Sequence, residues 1–271
     1  CNSSGVIATD VTGVGSARDY PGAAGYGTDK AIFAYGNTGS ITAVSNLVSN
    51  SGVVATDVSG VGTAREALAA AEYGSDKAIF AYGYANGGGI VSLSNLVNSS
   101  GVIASDVTGV GTARRYLAAT AYGGPAAGKA IFGYGLVSSV TAITNLVTNV
   151  GVVGSDVSGV GTARYGCAGA TYGDDKAIFG YGWNGSADVS LTNLVTNLGV
   201  VGSDVSGVGS TRRVLGAAGY GGDKAIFAYG HDNSDLSMSN LVSNSGVVSS
   251  DVTGVGTARA GTAGAGYSLS A

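Results

Sequence analysis

Apolar and polar positions in this chain return with a period of 47 to 50 residues over its whole length. A period of that size marks a series of like modules rather than one irregular core. An Asp, an Arg eight residues on and a Tyr eight further recur six times: Asp10, Arg18, Tyr26; Asp57, Arg65, Tyr73; Asp106, Arg114, Tyr122; Asp156, Arg164, Tyr172; Asp204, Arg212, Tyr220; and Asp251, Arg259, Tyr267. The text between Asp and Arg is nearly constant, DV(S/T)GVG followed by (S/T)(A/T)R. Five copies continue into KAIF(A/G)YG, which holds all 5 phenylalanines of the chain: Phe33, Phe80, Phe132, Phe179 and Phe227. A variable segment then leads to (S/T)NLV, at Asn46, Asn95, Asn145, Asn193 and Asn240, and a GVV or GVI run closes the unit.

Each unit offers four strand candidates. The first is a small-residue run such as LAAAEYG or LAATAYG. The second is KAIFGYG, whose Ala, Phe and Tyr alternate against Lys, Ile and Gly with the period of two expected of a strand. The third runs from the variable segment into SNLV, and the fourth is GVVATDV. Gly-Asp, Ser-Asp and Gly-Gly pairs between the first two read as hairpin turns. Four short strands in fewer than about fifty residues match the blade of a β-propeller. The small first strand fits a crowded position beside a central axis, and the Phe and Tyr of the second fill the space between blades.

This grammar resembles the kelch-type propeller unit: an Arg, a small apolar strand, then a strand ending in aromatic and Gly residues. The matching text is Arg65 through ALAAAEYGSDKAIFAYGY and its equivalents. The family's Gly-Gly doublet is here reduced to Tyr-Gly, and its fourth-strand Trp is absent. The GVGTAR and DKAIFGYG repeats are also similar to those of uncharacterised repeat proteins of marine bacteriophages. That likeness implies a virion-surface, tail-fibre or head-decoration role.

The expected fold is therefore all-β, a single propeller domain over residues 1–271 with a partial last repeat at 245–271. Five blades are complete. An extra fourth strand at 5–10 opens the chain and an extra first strand near 260–268 closes it. Five full blades are favoured, with the terminal strands added to the closing blade or donated to a neighbouring subunit. Six blades and a linear β-solenoid are the alternatives.

Composition narrows function. Charged residues make up 11% of the chain, against roughly 25% in ordinary soluble domains, so Gly, Ser, Thr and Asn must cover the surface. Such surfaces suit extracellular particles and lattices. A net charge of −4 argues against nucleic-acid binding, which needs clustered Lys and Arg. No apolar run approaches a membrane span. The two cysteines, Cys1 and Cys167, occupy unrelated positions in the repeat and imply neither a disulfide framework nor a metal site. Cys1 in place of Met is expected of a processed product or a fragment, a lipid-modified terminus being the other reading.

No catalytic constellation is legible, and no cofactor or metal is called for. The GVG(S/T)AR text contains GxG, but six copies without helices read as a turn rather than a phosphate loop. The repeated Asp and Arg, among them Asp57 with Arg65, Asp106 with Arg114 and Asp156 with Arg164, are expected to form charge-assisted pairs that brace the blades. The Asp-Lys before AIF reads as a solvated hairpin tip, since the third copy replaces it with GPAAGK. His231, the only histidine, has no triad partner nearby beyond Asp232 and Asp235.

The informative positions vary while the frame stays fixed. Asn37, Tyr84, Leu136, Trp183 and His231 follow the second strand; Asp19, Tyr20, Glu66, Arg115, Tyr116, Tyr165 and Arg213 follow the repeated Arg. Loops on a rigid scaffold carry binding function in repeat folds, so Asn37, Tyr84, Tyr116, Tyr165, Trp183 and His231 are the candidate ligand contacts. The sequence thus reads as a non-enzymatic structural or adhesion module on an extracellular or virion surface. Its expected partners are copies of itself or structural proteins of a particle. A lectin-like propeller binding a surface glycan is the alternative.

Overall fold

The computed structural model describes residues 1–267, and within them the chain is all-β apart from one helical turn, Gly124–Ala127. None of its helical segments is long and apolar enough to cross a membrane. Five equivalent sheets follow one another, each of three antiparallel strands in sequence order. The inner strands are Gly22–Tyr26, Ala69–Tyr73, Ala118–Tyr122, Ala168–Tyr172 and Gly216–Tyr220. The middle strands are Lys30–Ala34, Lys77–Ala81, Lys129–Gly133, Lys176–Gly180 and Lys224–Ala228. The third strands are Ser45–Val48, Ser94–Val97, Thr144–Val147, Thr192–Val195 and Ser239–Val242. The register recurs: Phe80 lies opposite Ala70 on one side and Asn95 on the other, as Phe132 does opposite Ala119 and Asn145. Inner strands of consecutive sheets lie against one another, which the Ala and Gly side chains permit.

The middle strand is buried on both faces. Ile79, Ile131 and Ile178 are fully enclosed, and so are Phe80, Phe132, Phe179 and Phe227. The alternation of its sequence therefore separates two packed faces, not a packed and a wet one. The strand also stops sooner than its alternation predicts. Tyr35, Tyr82, Tyr134, Tyr181 and Tyr229 all take left-handed backbone, with φ of 63–65°. A non-glycine residue there is strained by about 1–3 kcal/mol and persists only where its surroundings hold it. The ring supplies the hold: four of these tyrosines pack edge-to-face on the Phe of the next sheet, with centroids 5.2–5.5 Å apart.

The fourth run is not a regular strand. It touches the third strand through two isolated bridges, Val48 with Val54 and Ser45 with Val58 in the first sheet, repeated in the other four. Four steps along the outer run match three along the inner one, a bulge that breaks the ladder and re-aims the residues between.

What the bulge aims is the repeated Asp. Asp57 accepts from the Ser16 hydroxyl at 2.6 Å, from the Ser16 amide at 3.1 Å and from the Asn46 side chain at 2.9 Å. Asp106, Asp156, Asp204 and Asp251 do the same with Thr63, Thr112, Thr162 and Ser210. Each Asp thus ties the last run of its sheet to the loop that enters that sheet some forty residues earlier. The second Gly of GVG is required by this clasp. A Cβ on Gly62 would fall 2.3 Å from the Asp106 Oδ1, and its φ is +73°.

The expected Arg–Asp pairing is corrected here. Arg18 and Arg164 stand 3.9 Å from Asp57 and Asp204, too far for a hydrogen bond, and only Arg259 bonds its carboxylate directly, to Asp10 at 3.1 Å. The arginines instead enter the seams between sheets. Arg65, Arg114, Arg164 and Arg212 are fully buried, each over the ring of the preceding sheet's tyrosine at 4.1–4.3 Å. Their N–H groups go to local carbonyls and to Asn side chains, as Arg164 Nη2 donates to Asn193 Oδ1 at 2.6 Å. A planar, weakly hydrated guanidinium suits a buried stack that an ammonium would not. The hairpin tips are likewise joined rather than merely solvated: Gly27 donates to the Asp76 carbonyl and Gly123 to that of Asp175. The GPAAG insertion keeps the link, with Gly74 donating to the Gly128 carbonyl.

A closed cycle of backbone hydrogen bonds joins the modules. Tyr20 donates to Gly261, Gly261 to Val214, Val214 to Gly166, Gly166 to Tyr116, Tyr116 to Ala67, and Ala67 back to Tyr20, over 2.7–3.1 Å. All six residues have φ of 48–65°. The cycle has six members although five sheets are complete, and the two ends of the chain supply the sixth place. Gly264 lies so near the inner strand Gly216–Tyr220 that a Cβ there would stand 2.6 Å from the Ala217 carbonyl, while Tyr267 packs on Gly52 of the first sheet. Gly5 packs on Tyr220 and Leu241 just as Gly101 packs on Tyr26 and Leu47. The terminal segments expected at 5–10 and 260–268 thus both lie against the fifth sheet, and Asp10 ties the first to Thr257 and Arg259 ahead of the second, Ser268 lying outside the described residues. Neither forms a ladder, because the middle and third strands that would pair with them have no counterpart there among the described residues.

The seam beside this sixth place is less covered: Phe33 and Tyr229 are half-buried where their equivalents are fully enclosed. Phe132→Ala is expected to lose about 3–5 kcal/mol of stability and Phe33→Ala no more than about half that, read as the two shifts in a urea melt. Equal losses would contradict the open seam.

Candidate functional site

The residues after the repeated Arg and those after the Tyr-Gly turn meet at one end of the molecule. Backbone bridges join Asp19 to Asn37, Arg115 to Leu136, Tyr165 to Trp183 and Arg213 to His231, and a short ribbon joins Arg65–Glu66 to Tyr84–Ala85. The hydrogen-bonded cycle holds these segments. All six sequence-predicted contacts, Asn37, Tyr84, Tyr116, Tyr165, Trp183 and His231, therefore share this end, and all six are half-buried.

Tyr20, Tyr116 and Tyr165 form an aromatic row, with Tyr20 edge-on to Tyr116 at 5.3 Å and Tyr116 tilted on Tyr165 at 5.7 Å. Arg115 lies over Tyr84 and Tyr116, both at 5.3 Å, and Arg213 over Trp183 at 5.1 Å. Arg213 also pairs with Asp188 at 2.9 Å. Burial pushes the Asp188 carboxyl up, against the pull of Arg213. Asn37 donates to Glu66 at 2.8 Å, and His231 Nδ1 meets Asp235 at 2.9 Å. The arginines as stacking partners and Asp188 were not legible as such, because no spacing rule couples residues 25 apart across a loop.

Below the row, Tyr20, Ala67, Tyr116, Gly166, Val214 and Thr262 border a cavity of about 70 Å³. Cys167 lines it, its thiol pushed up to about 11 by burial, which leaves it a poor nucleophile at neutral pH. Among the described residues no three His, Cys, Asp or Glu side chains group as metal ligands. His231 bonds a carboxylate but no hydroxyl or thiol. The arrangement can stack, bond and exclude water; it holds no paired nucleophile and base.

One ionisable group is out of keeping with the repeat. Glu72 on the second inner strand lies against the first, where a Cβ on Gly25 would stand 3.0 Å from its Oε2. The equivalent positions are Gly25, Ala121, Thr171, Gly219 and Gly266, none of them charged. Burial, reinforced by Asp76, raises the Glu72 carboxyl from 4.5 to about 7.

The chain matches no protein-family model, and no curated protein is significantly similar to it.

A carboxyl whose pKa is raised by folding holds its proton more tightly in the native state, so stability falls as pH rises from about 4.5 to about 7. The loss is about 3 kcal/mol at most. Glu72→Gln is expected to flatten the melting temperature across that window and to exceed wild type above it. A wild-type profile that is already flat there would refute the assignment. The clasp runs the other way. Ser16 and Asn46 hold Asp57 down to about 2, so its stabilisation is complete above the ordinary carboxylate range and lost as pH falls towards that value. Asp57→Asn is expected to unfold less steeply with acid than wild type in a pH titration followed by circular dichroism.

Proposed function

We propose that the chain is a β-propeller with six places, the sixth made from its two ends, and that it serves as a non-enzymatic structural or adhesion module. The closed amide cycle and the succession of inner strands support the architecture. The role rests on one observation: the valine after the GVV or GVI glycine is turned outward in every repeat. Val6, Val53, Val102, Val152, Val200 and Val247 are each 59–65% exposed. Their neighbours Ile103, Val201 and Val248 are buried, so the pattern is a consequence of strand alternation. Single exposed valines need no explanation, but the same one at six equivalent places on the outermost run forms a repeated apolar edge. On a surface with so few charges, that edge suits lattice or particle contacts, and an extracellular or virion setting follows as part of the reading.

A glycan-binding role draws support from the aromatic row Tyr20, Tyr116 and Tyr165. It is weaker because Arg115 and Arg213 already cover Tyr84 and Trp183.

Sedimentation of wild type beside a Val102→Ser, Val152→Ser, Val200→Ser triple variant tests the proposal. Wild type is expected to form concentration-dependent oligomers and the variant to stay monomeric, with each substitution altering stability by no more than about 0.5 kcal/mol. A wild-type chain monomeric up to its solubility limit would sink the reading.

A further inference from the structure

The turn between the third strand and the outer run keeps one backbone form along the chain. Gly52 donates to the Ser49 carbonyl, Gly151 to that of Thr148 and Gly199 to that of Thr196, over 2.9–3.0 Å. Its third residue departs from the repeat. Ser4, Ser51, Ser100 and Ser245 hold that position in four copies, whereas Val150 and Leu198 hold it in the third and fourth sheets. The fold imposes no apolar residue there, since serine serves elsewhere. Val150 is nevertheless 69% exposed and Leu198 74%, in the same turns as the exposed Val152 and Val200. No charged residue lies within 144–155 or 192–203.

The second sheet carries a shape to match. Tyr73, Leu96, Val97, Val102 and Ala104 line an apolar groove in its outer part, with Lys77 at the side. In three other sheets Asn50, Asn197 and Asn244 tie this turn to the tip carboxylates of Asp29, Asp175 and Asp223; the second sheet has Ser99 in that position. Gly151, next to Val150, packs on Tyr73 and Leu96, and Gly199, next to Leu198, on Tyr122 and Leu146. Groove and turns therefore form one continuous apolar margin from the second sheet to the fourth. The margin lies at the hairpin-tip end, where Gly74 packs on the Asn149 carbonyl, away from the aromatic row.

We propose that this margin binds a second copy of the chain about a two-fold axis parallel to the axis of the amide cycle. A two-fold contact is self-complementary: Leu198 of each copy enters the groove of the other, and Val150 meets its counterpart near the axis. An antiparallel arrangement would set the tip end of one copy beside the aromatic end of the other and leave the turns unmatched. A stable dimer buries about 800 Å² per partner, a small share of the 10918 Å² surface of this chain, and the margin of three neighbouring sheets can provide it where a single turn cannot. With no charge in the two turns, apolar burial is the driving force. The inference rests on the self-associating reading above and gives that association one direction.

Sedimentation equilibrium of wild type, of a Val150→Ser, Leu198→Ser double variant and of Ala104→Lys tests this. The double variant restores the residue that four copies already carry, so its melting temperature is expected to stay at the wild-type value. Ala104 is an exposed residue of the groove whose equivalents are Ala55, Gly154, Gly202 and Ser249. All six outer valines stay in place. Wild type is expected to form a dimer as its first oligomer, and each variant to raise the dissociation constant about tenfold or more, as loss of a buried anchor does. A double variant that associates like wild type overturns the proposal; if the Val102, Val152, Val200 triple variant is then monomeric, the structural role stands without it. A monomeric wild type sinks both readings. Should that monomer bind the apolar dye ANS and the double variant not, the margin serves another apolar partner and the second copy is excluded.

Discussion

A short strand enclosed on both faces cannot be stable in a lone sheet. Ile79 and Phe80 point in opposite directions from one middle strand, and neither meets solvent. Whatever covers one face must come from the sheet before and whatever covers the other from the sheet after. Burial of an aromatic side chain contributes about 2–3 kcal/mol, so each uncovered face is a substantial loss for a three-stranded sheet. Modules under this constraint either stack without limit or close on themselves. The six-membered amide cycle shows closure, and closure brings residues more than two hundred positions apart, such as Asp10 and Arg259, into contact.

Much of this was legible because the repeat supplies its own controls. The order of the first three strands in each unit, the close packing of the small-residue runs and the inter-sheet role of Phe and Tyr follow from period and side-chain size, whereas the fourth run does not form the strand its sequence predicts. The partner of the repeated Asp was not legible. Asp57 and Arg65 are close in sequence and opposite in charge, yet Asp57 serves the loop at Ser16 and Arg65 serves the ring of Tyr35. Nearness along the chain misleads in a fold where each sheet is tied across some forty residues, and a bulge decides which way the Asp points. The left-handed turn at Tyr35 and its equivalents was hidden for a related reason. Tyr-Gly reads as the end of an alternating strand, whereas the Phe in the next sheet, a tertiary neighbour, is what holds the strained backbone.

The candidate site was legible only as variation. Positions 37, 84, 136, 183 and 231 differ while the frame around them is constant, which locates the end of the molecule but not its chemistry. The chemistry is mostly internal. Arg213, Trp183 and Asp188 satisfy one another, as Arg115 satisfies Tyr84 and Tyr116. Aromatic residues beside a cation look like a binding surface in a sequence; folded, they are partly each other's ligands.

Near-perfect repetition also makes departures meaningful. A frame tolerant of change would have scattered its glycines and arginines, but the second Gly of GVG faces the clasping carboxylate at a distance no Cβ allows. The buried arginines likewise fill a slot shaped for a flat cation. Where the frame is this demanding, Glu72 among Gly, Ala and Thr and Phe33 without its tyrosine are not noise. They mark the two places where the packing rule binding the other modules is relaxed. Since five equivalent sheets offer equal surfaces, any property belonging to one direction of this molecule must arise from such breaks in the repeat.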